Sequence, residues 1–167
     1  NGEFYFIEMN TRLQVEHPIT EMVTGIDLVQ KQIQISAGEP LGISQDEVSL
    51  KGHSIECRIN AEDPENFIPS PGKIADYHPP GGFGIRIDSG IYSGYEIPPH
   101  YDSLIAKLIV HGQNREQCLS RLQRALDEFV IGNIKTTIAL HQKLLSTKNF
   151  IDGEYDIHWL EKHLLKQ

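Results

Sequence analysis

The residues best equipped for chemistry stand near the start of the chain. From Glu8 onward the sequence alternates, with Glu8, Asn10, Arg12, Gln14 and Glu16 at one parity and Met9, Thr11, Leu13, Val15 and His17 at the other. Successive side chains of an extended chain point to opposite faces, so an extended course would turn all of the first set to one side. Glu8 and Asn10 supply oxygen ligands only, which suits a hard cation such as Mg²⁺ that takes one or two protein oxygens and fills its shell with water and phosphate. Arg12 offers a planar fork for a carboxylate, bicarbonate or phosphate. Glu16 would act as a general base if its neighbourhood brings its pKa toward neutrality. The competing reading is an amphipathic strand whose polar face is merely wet, and alternation alone does not separate the two.

These groups need elements to hold them. Phe4 and Phe6 share their parity, so one face changes from aromatic to polar, as where a buried strand emerges into a site at its C-terminal end. The run Phe4–Ile7 predicts a strand that needs neighbours on both sides. Asn1-Gly2 is a hairpin-type turn pair whose partner strand would precede it. The chain, which starts without methionine, is therefore expected to belong to a longer protein that holds part of any active site.

Thr24-Gly25-Ile26-Asp27 resembles a capping box, and the spacing of Ile26, Val29 and Ile33 predicts a helix over about 26–37. The polar stretch 41–48 reads as a connection. Residues 53–60 alternate, with Ile55, Cys57 and Ile59 facing one way and Ser54, Glu56, Arg58 and Asn60 the other. Strands are predicted at 73–77, 84–88 and 104–110, divided by Pro and Gly clusters, which points to an antiparallel sheet. From Asn114, with Gln117 in cap-box register, a helix is expected with Cys118, Leu122, Ala125, Leu126 and Phe129 on one stripe. Further helices are expected at about 137–145 and 157–165.

Composition excludes several classes. Fifteen Lys and Arg against 23 Asp and Glu give a net charge of −8 over 167 residues. No basic stripe exists for general nucleic-acid binding. No apolar run approaches the roughly 20 residues of a membrane helix, and Asn1-Gly2-Glu3 does not read as a signal peptide, so a cytoplasmic place without membrane contact is expected. Cys57 and Cys118 are too few for a disulfide framework and are read as reduced.

The stretch Phe6-Ile7-Glu8-Met9-Asn10-Thr11-Arg12-Leu13-Gln14-Val15-Glu16-His17-Pro18 resembles the motif of the biotin carboxylases within the ATP-grasp superfamily. Its Glu-x-Asn part is shared by many ATP-grasp ligases, whereas Arg-x-Gln-Val-Glu-His is much more specific. Glu56-Cys57-Arg58-Ile59-Asn60-Ala61-Glu62-Asp63, Ser70-Pro71-Gly72-Lys73 and Tyr101-Asp102-Ser103-Leu104-Ile105-Ala106-Lys107 agree in order and spacing. The resemblance covers essentially the whole chain. It implies an α+β architecture: residues 1–44 as the C-terminal strand and helix of an ATP-grasp fold, and 45–167 as a biotin carboxylase C-terminal domain with an antiparallel sheet and packed helices.

It also implies roles. Glu8 and Asn10 would bind the Mg²⁺ (or Mn²⁺) that bridges the ATP phosphates. Arg12 would hold bicarbonate and is the residue usually called catalytic, with Gln14 and the Val15 amide completing the cradle. Glu16 would deprotonate bicarbonate for attack on the γ-phosphate to give carboxyphosphate. Arg58 would stabilise the enolate-like biotin and also touch bicarbonate, and Ile157 would pack on adenine. The implied partners are a biotin carboxyl carrier protein, the remainder of the carboxylase chain, a carboxyltransferase component and a second copy, with Phe83 and Arg86 as interface candidates. The system adopted is acetyl-CoA carboxylase, in fatty acid biosynthesis; propionyl-CoA and pyruvate carboxylases contain the same unit. On this reading the fragment alone is inactive.

Other features read more flatly. His17 is taken as a packing or hydrogen-bonding residue, and His53 with Cys57 as lacking the further ligands of a zinc site. Gly81-Gly82-Phe83-Gly84 lacks the lysine and helix of a phosphate loop and reads as a turn. Asp102 is assigned a structural or interfacial part. The alternatives are another ATP-grasp ligase and a non-catalytic docking and dimerisation module.

Overall fold

The computed structural model describes residues 3–165; the pairs Asn1-Gly2 and Lys166-Gln167 lie outside the described residues. Two compact units divide the chain, one up to Leu50 and one from Lys51 onward.

In the first unit, residues 3–11 carry no helix, strand or turn. The strand expected at Phe4–Ile7 is absent there: apolar residues supply propensity, but a strand is held by a hydrogen-bonded neighbour, and no described segment pairs with this one. Phe4, Tyr5, Phe6 and Ile7 are between 77% and 96% exposed. Nothing in the alternating pattern announces helix α1, His17–Thr24. Pro18 stands in its first turn, where a missing N–H does no harm. Gly25 ends it in the left-handed region at φ 74°, donating to the Glu21 carbonyl. Thr24 thus closes one helix rather than opening the next. Helix α2, Leu28–Ser36, fulfils the expected helix with narrower bounds; Asp27 caps it by accepting from the Gln30 amide at 2.7 Å. A 3₁₀ turn, Gln45–Glu47, follows.

The second unit begins with β1, His53–Asn60, the whole of the alternating stretch. The strand expected at 73–77 is instead two short ones, β2 Gly72–Lys73 and β3 Tyr77–His78. Between them the Ile74 amide donates to the Tyr95 carbonyl and the Ala75 amide to that of Gly132, so the chain changes partners. Next come β4, Ile85–Ser89, β5, Glu96–Ile97, and β6, Leu104–Gly112. Helix α3, Arg115–Glu128, leads to β7, Val130–Ile131, and to α4, Ile138–Leu145. The last elements are α5, Lys148–Asp152, and α6, Trp159–His163.

The main sheet is antiparallel in the order β1-β6-β4, while β2 pairs with β5 and β3 with β7. Register places Cys57, Leu108 and Ile87 in one row and Ile55, Val110 and Ile85 in another. These rows form the apolar face, which joins the stripe Cys118, Leu122, Ala125 and Leu126 of α3 in one core. Leu108, Val110, Ile59 and Ile74 are wholly buried. At about 1.5–3 kcal/mol for each large apolar side chain removed from water, these contacts dominate the stability of the unit.

Candidate functional site

In the first unit the chain does not stay extended through the motif. Arg12 lies in a bend, Val15 and Glu16 in a turn, and Glu16 is the residue from which α1 springs. The turn is closed by the His17 amide on the Gln14 carbonyl at 3.2 Å and by His17 Nδ1 on the same oxygen at 2.7 Å. A carbonyl only accepts, so Nδ1 carries the proton. His17 is thus the hydrogen-bonding residue expected, and it fixes the backbone between Gln14 and Glu16. Glu8, Asn10, Arg12 and Glu16 are exposed, with Gln14 and Val15 half-buried. The strict two-residue parity ends at this turn.

Glu8 and Asn10 bring one carboxylate and one amide oxygen, a donor set that fits Mg²⁺ when phosphates and water complete its octahedron. No group of three or more His, Cys, Asp or Glu placed to hold a metal occurs among the described residues. Arg115 Nη1 donates to His53 Nε2 at 3.3 Å, and the Cys57 thiol is buried in the core.

In the second unit the face of the sheet opposite the core is charged. Arg58 stands in a row with Lys107 and Asp88, and Glu56 in a row with Ile109 and Arg86. Arg86 grips Asp88 with two bonds, Nε to Oδ1 at 2.7 Å and Nη2 to Oδ2 at 2.9 Å, and Lys107 Nζ lies 3.5 Å from Oδ2. Arg58 Nε is 3.9 Å from Glu56 Oε1, with 51% of its side chain exposed against 5% for Glu56. Burial pushes the Asp88 carboxyl up, but its bonds to Arg86 and the charges of Arg86 and Lys107 outweigh this and hold it below the usual carboxylate range. Among the described residues these rows bring the cations Arg58, Arg86 and Lys107 beside the carboxylates Asp88 and Glu56. A cluster of cations of this kind can meet an anion locally whatever the total charge.

The sequence alone assigns no part to Lys107, Asp88, Thr137 or His141. A lysine between Ala106 and Leu108 in a strand this apolar was a usable signal, since an unpaired charge there is expensive. The partners of Thr137 and His141 lie 79 and 83 residues away and leave no local trace.

The remaining expectations resolve individually. Gly81–Gly84 is a turn, closed by the Ile85 amide on the Gly82 carbonyl at 3.2 Å. Phe83 is 87% exposed, with the Arg121 guanidinium over its ring at 5.2 Å. Asp102 accepts from the Leu104 amide at 2.8 Å, a structural part in the turn before β6. Ile157 lies in the turn before α6, not at the start of that helix, because Asp156 accepts from the amides of His158 and Trp159 and delays the first helical residue to Trp159. It is 90% exposed. No helix among the described residues is long and apolar enough to cross a membrane.

Comparison with known proteins finds relatives for both units of the chain. Residues 56–162 match the family described as biotin carboxylase C-terminal domain, and residues 1–44 match the carbamoyl-phosphate synthase L chain, ATP binding domain. A biotin carboxylase of Haemophilus influenzae is 58% identical over 164 residues, covering 98% of this chain and 37% of its own length. A pyruvate carboxylase subunit of Methanothermobacter thermautotrophicus is 52% identical over 164 residues, covering 98% and 33%. The solved biotin carboxylase domain dimer of the Hydrogenobacter thermophilus 2-oxoglutarate carboxylase, in complex with MgADP, ADP and bicarbonate, superposes with a TM-score of 0.94 at 53% identity, over 97% of this chain and 36% of that one. The chain therefore belongs to the biotin carboxylase family, and its mixed architecture of helices and antiparallel sheet is the one that family uses for its C-terminal domain. It spans about a third of the length of these relatives.

Proposed function

We propose that this chain serves as the C-terminal part of an ATP-dependent biotin carboxylase, which joins bicarbonate to carrier-linked biotin through carboxyphosphate. The observation that carries the reading is Arg58, held half-exposed on a charged sheet face in a chain whose early segment reads Glu-x-Asn-x-Arg-x-Gln-Val-Glu. The solved relative bound to MgADP and bicarbonate supports the same ligands here.

In this reading Glu8 and Asn10 would hold a Mg²⁺, which when bound would neutralise charge on the ATP phosphates. Arg12, Gln14 and the Val15 amide cradle bicarbonate. Glu16 takes its proton, and the freed oxygen attacks the γ-phosphorus as ADP leaves, giving carboxyphosphate. Loss of CO₂ from that intermediate leaves phosphate, which accepts the proton of the biotin ureido nitrogen. Negative charge then grows on the ureido oxygen, where Arg58 is the preorganised cation. Phosphoryl transfer is accelerated chiefly by such positioning and charge stabilisation, so an acidic chain is no obstacle. Ile157 would cover adenine, and Phe83 with Arg86 would meet a second copy. The partners are a biotin carboxyl carrier protein and a carboxyltransferase component, and the system proposed is acetyl-CoA carboxylase of the cytoplasm.

Arg58→Ala in the full-length carboxylase should lower the rate of biotin carboxylation about 10²–10³-fold, the effect of removing one oxyanion donor, with the KM for ATP little changed. Steady-state assays with free biotin measure both. An unchanged carboxylation rate would remove Arg58 from the mechanism.

A further inference from the structure

The main sheet leaves β1 with β6 on one side and, among the described residues, no strand on the other. The backbone groups of Arg58 and Asn60 on that open edge would otherwise lack sheet partners. They are taken up by the start of α4. The Asn60 amide donates to Thr137 Oγ1 at 3.0 Å, and Thr137 Oγ1 donates to the Arg58 carbonyl at 3.1 Å. The Thr137 amide donates to the Asn60 carbonyl at 3.1 Å, and His141 Nε2 lies 2.9 Å from the Arg58 carbonyl. That carbonyl only accepts, so Nε2 carries the proton and the oxygen receives two donors.

We propose that Thr137 and His141 are positioning residues for Arg58: by clamping its carbonyl and the next outward amide, they fix where its guanidinium stands. The inference rests on the role proposed above for Arg58. Three observations support it. Thr137 is 5% exposed, so its hydroxyl is committed to these backbone partners rather than to water. Both donors converge on Arg58, although the apolar residues Leu140 and Leu145, both buried, already anchor α4. Burial lowers the pKa of His141, against the opposing bond to the Arg58 carbonyl, and so favours the neutral ring, whose one N–H the geometry places on Nε2. An arginine reaches its target through a long, flexible stem, so a fixed Cα is what limits its wander. The guanidinium itself is steadied by Glu56.

The test uses the full-length carboxylase and reads kcat for biotin carboxylation against the KM for ATP. His141→Leu removes one donor and leaves the carbonyl its bond from Thr137. It should lower that kcat about ten- to a hundredfold, the scale of an ångström-sized misplacement, with the KM for ATP within about twofold of the parent. His141→Gln, whose amide N–H reaches the same carbonyl, should restore most of the rate. In an Arg58→Ala background His141→Leu should have no further effect, which a merely structural histidine would not satisfy. Thr137→Val, close in shape and without the hydroxyl, gives the same comparison should the leucine variant not fold. An unchanged kcat, or a loss that persists without Arg58, overturns the clamp while leaving the role of Arg58 standing. If Arg58→Ala itself carboxylates biotin at the parent rate, it is the function proposed for Arg58 that fails.

Discussion

Arg58 and Cys57 are neighbours with opposite fates, because a strand turns successive side chains to opposite faces. Arg58 emerges on the charged face, whereas Cys57 is sealed in the core beside α3. Burial first, then the Glu56 charge and Cys118, pushes the Cys57 thiol up to about 12, and burial pushes Cys118 up to about 11. The thiolate is the reactive form. Neither cysteine should be alkylated by iodoacetamide in the native protein at neutral pH, while both should react in denaturant; mass spectrometry of the two peptides would decide. The same shifts fix a sign. An acid whose pKa is raised by folding stabilises the fold below its unfolded value, here 9.0, and that stability is lost as the pH climbs toward 12. Unfolding followed by circular dichroism should therefore show falling stability across this alkaline window, and a Cys57→Ala variant should lose less.

At the scale of elements, legibility followed local signals. The helix after Asn114 was readable because its cap and stripe lie within a few turns: the Asn114 side chain accepts from the Gln117 amide at 2.9 Å, and Cys118, Leu122, Ala125 and Leu126 are buried. Asn114→Ala should lower stability by about 1 kcal/mol, the usual value of an N-cap, and Asn114→Asp should retain most of it. Denaturant titration would detect the difference. Helix α1 was not readable, since the alternation through Glu16 and His17 predicts an extended course and only the backbone turn at Gln14 breaks it. Helix α5 is five residues long and is held from outside, by Arg115 Nε on the Ile151 carbonyl at 3.1 Å and its guanidinium over the Phe150 ring. Nothing inside Lys148–Asp152 announces that support. The run Phe4–Ile7 failed in the opposite way, with strong strand propensity and no partner among the described residues.

At the scale of the whole molecule, the chain spans about a third of its relatives, and the motif residues Glu8, Asn10, Arg12 and Glu16 are exposed. We expect the 167-residue chain on its own to show no bicarbonate-dependent ATP hydrolysis with free biotin. Appreciable turnover in that assay would refute the view that the remaining length of the relatives supplies required groups. The class of chemistry and the alternation of β1 could be read from the chain alone, because residue types and two-residue parity are local properties. The charged face was decided only in three dimensions, since Arg58, Lys107 and Asp88 meet through the register of three strands that are far apart in the chain. The clamp on Arg58 likewise joins residues 79 and 83 positions apart. Backbone pairing between distant segments creates such neighbours, and no periodicity within either segment encodes which stranger it will meet.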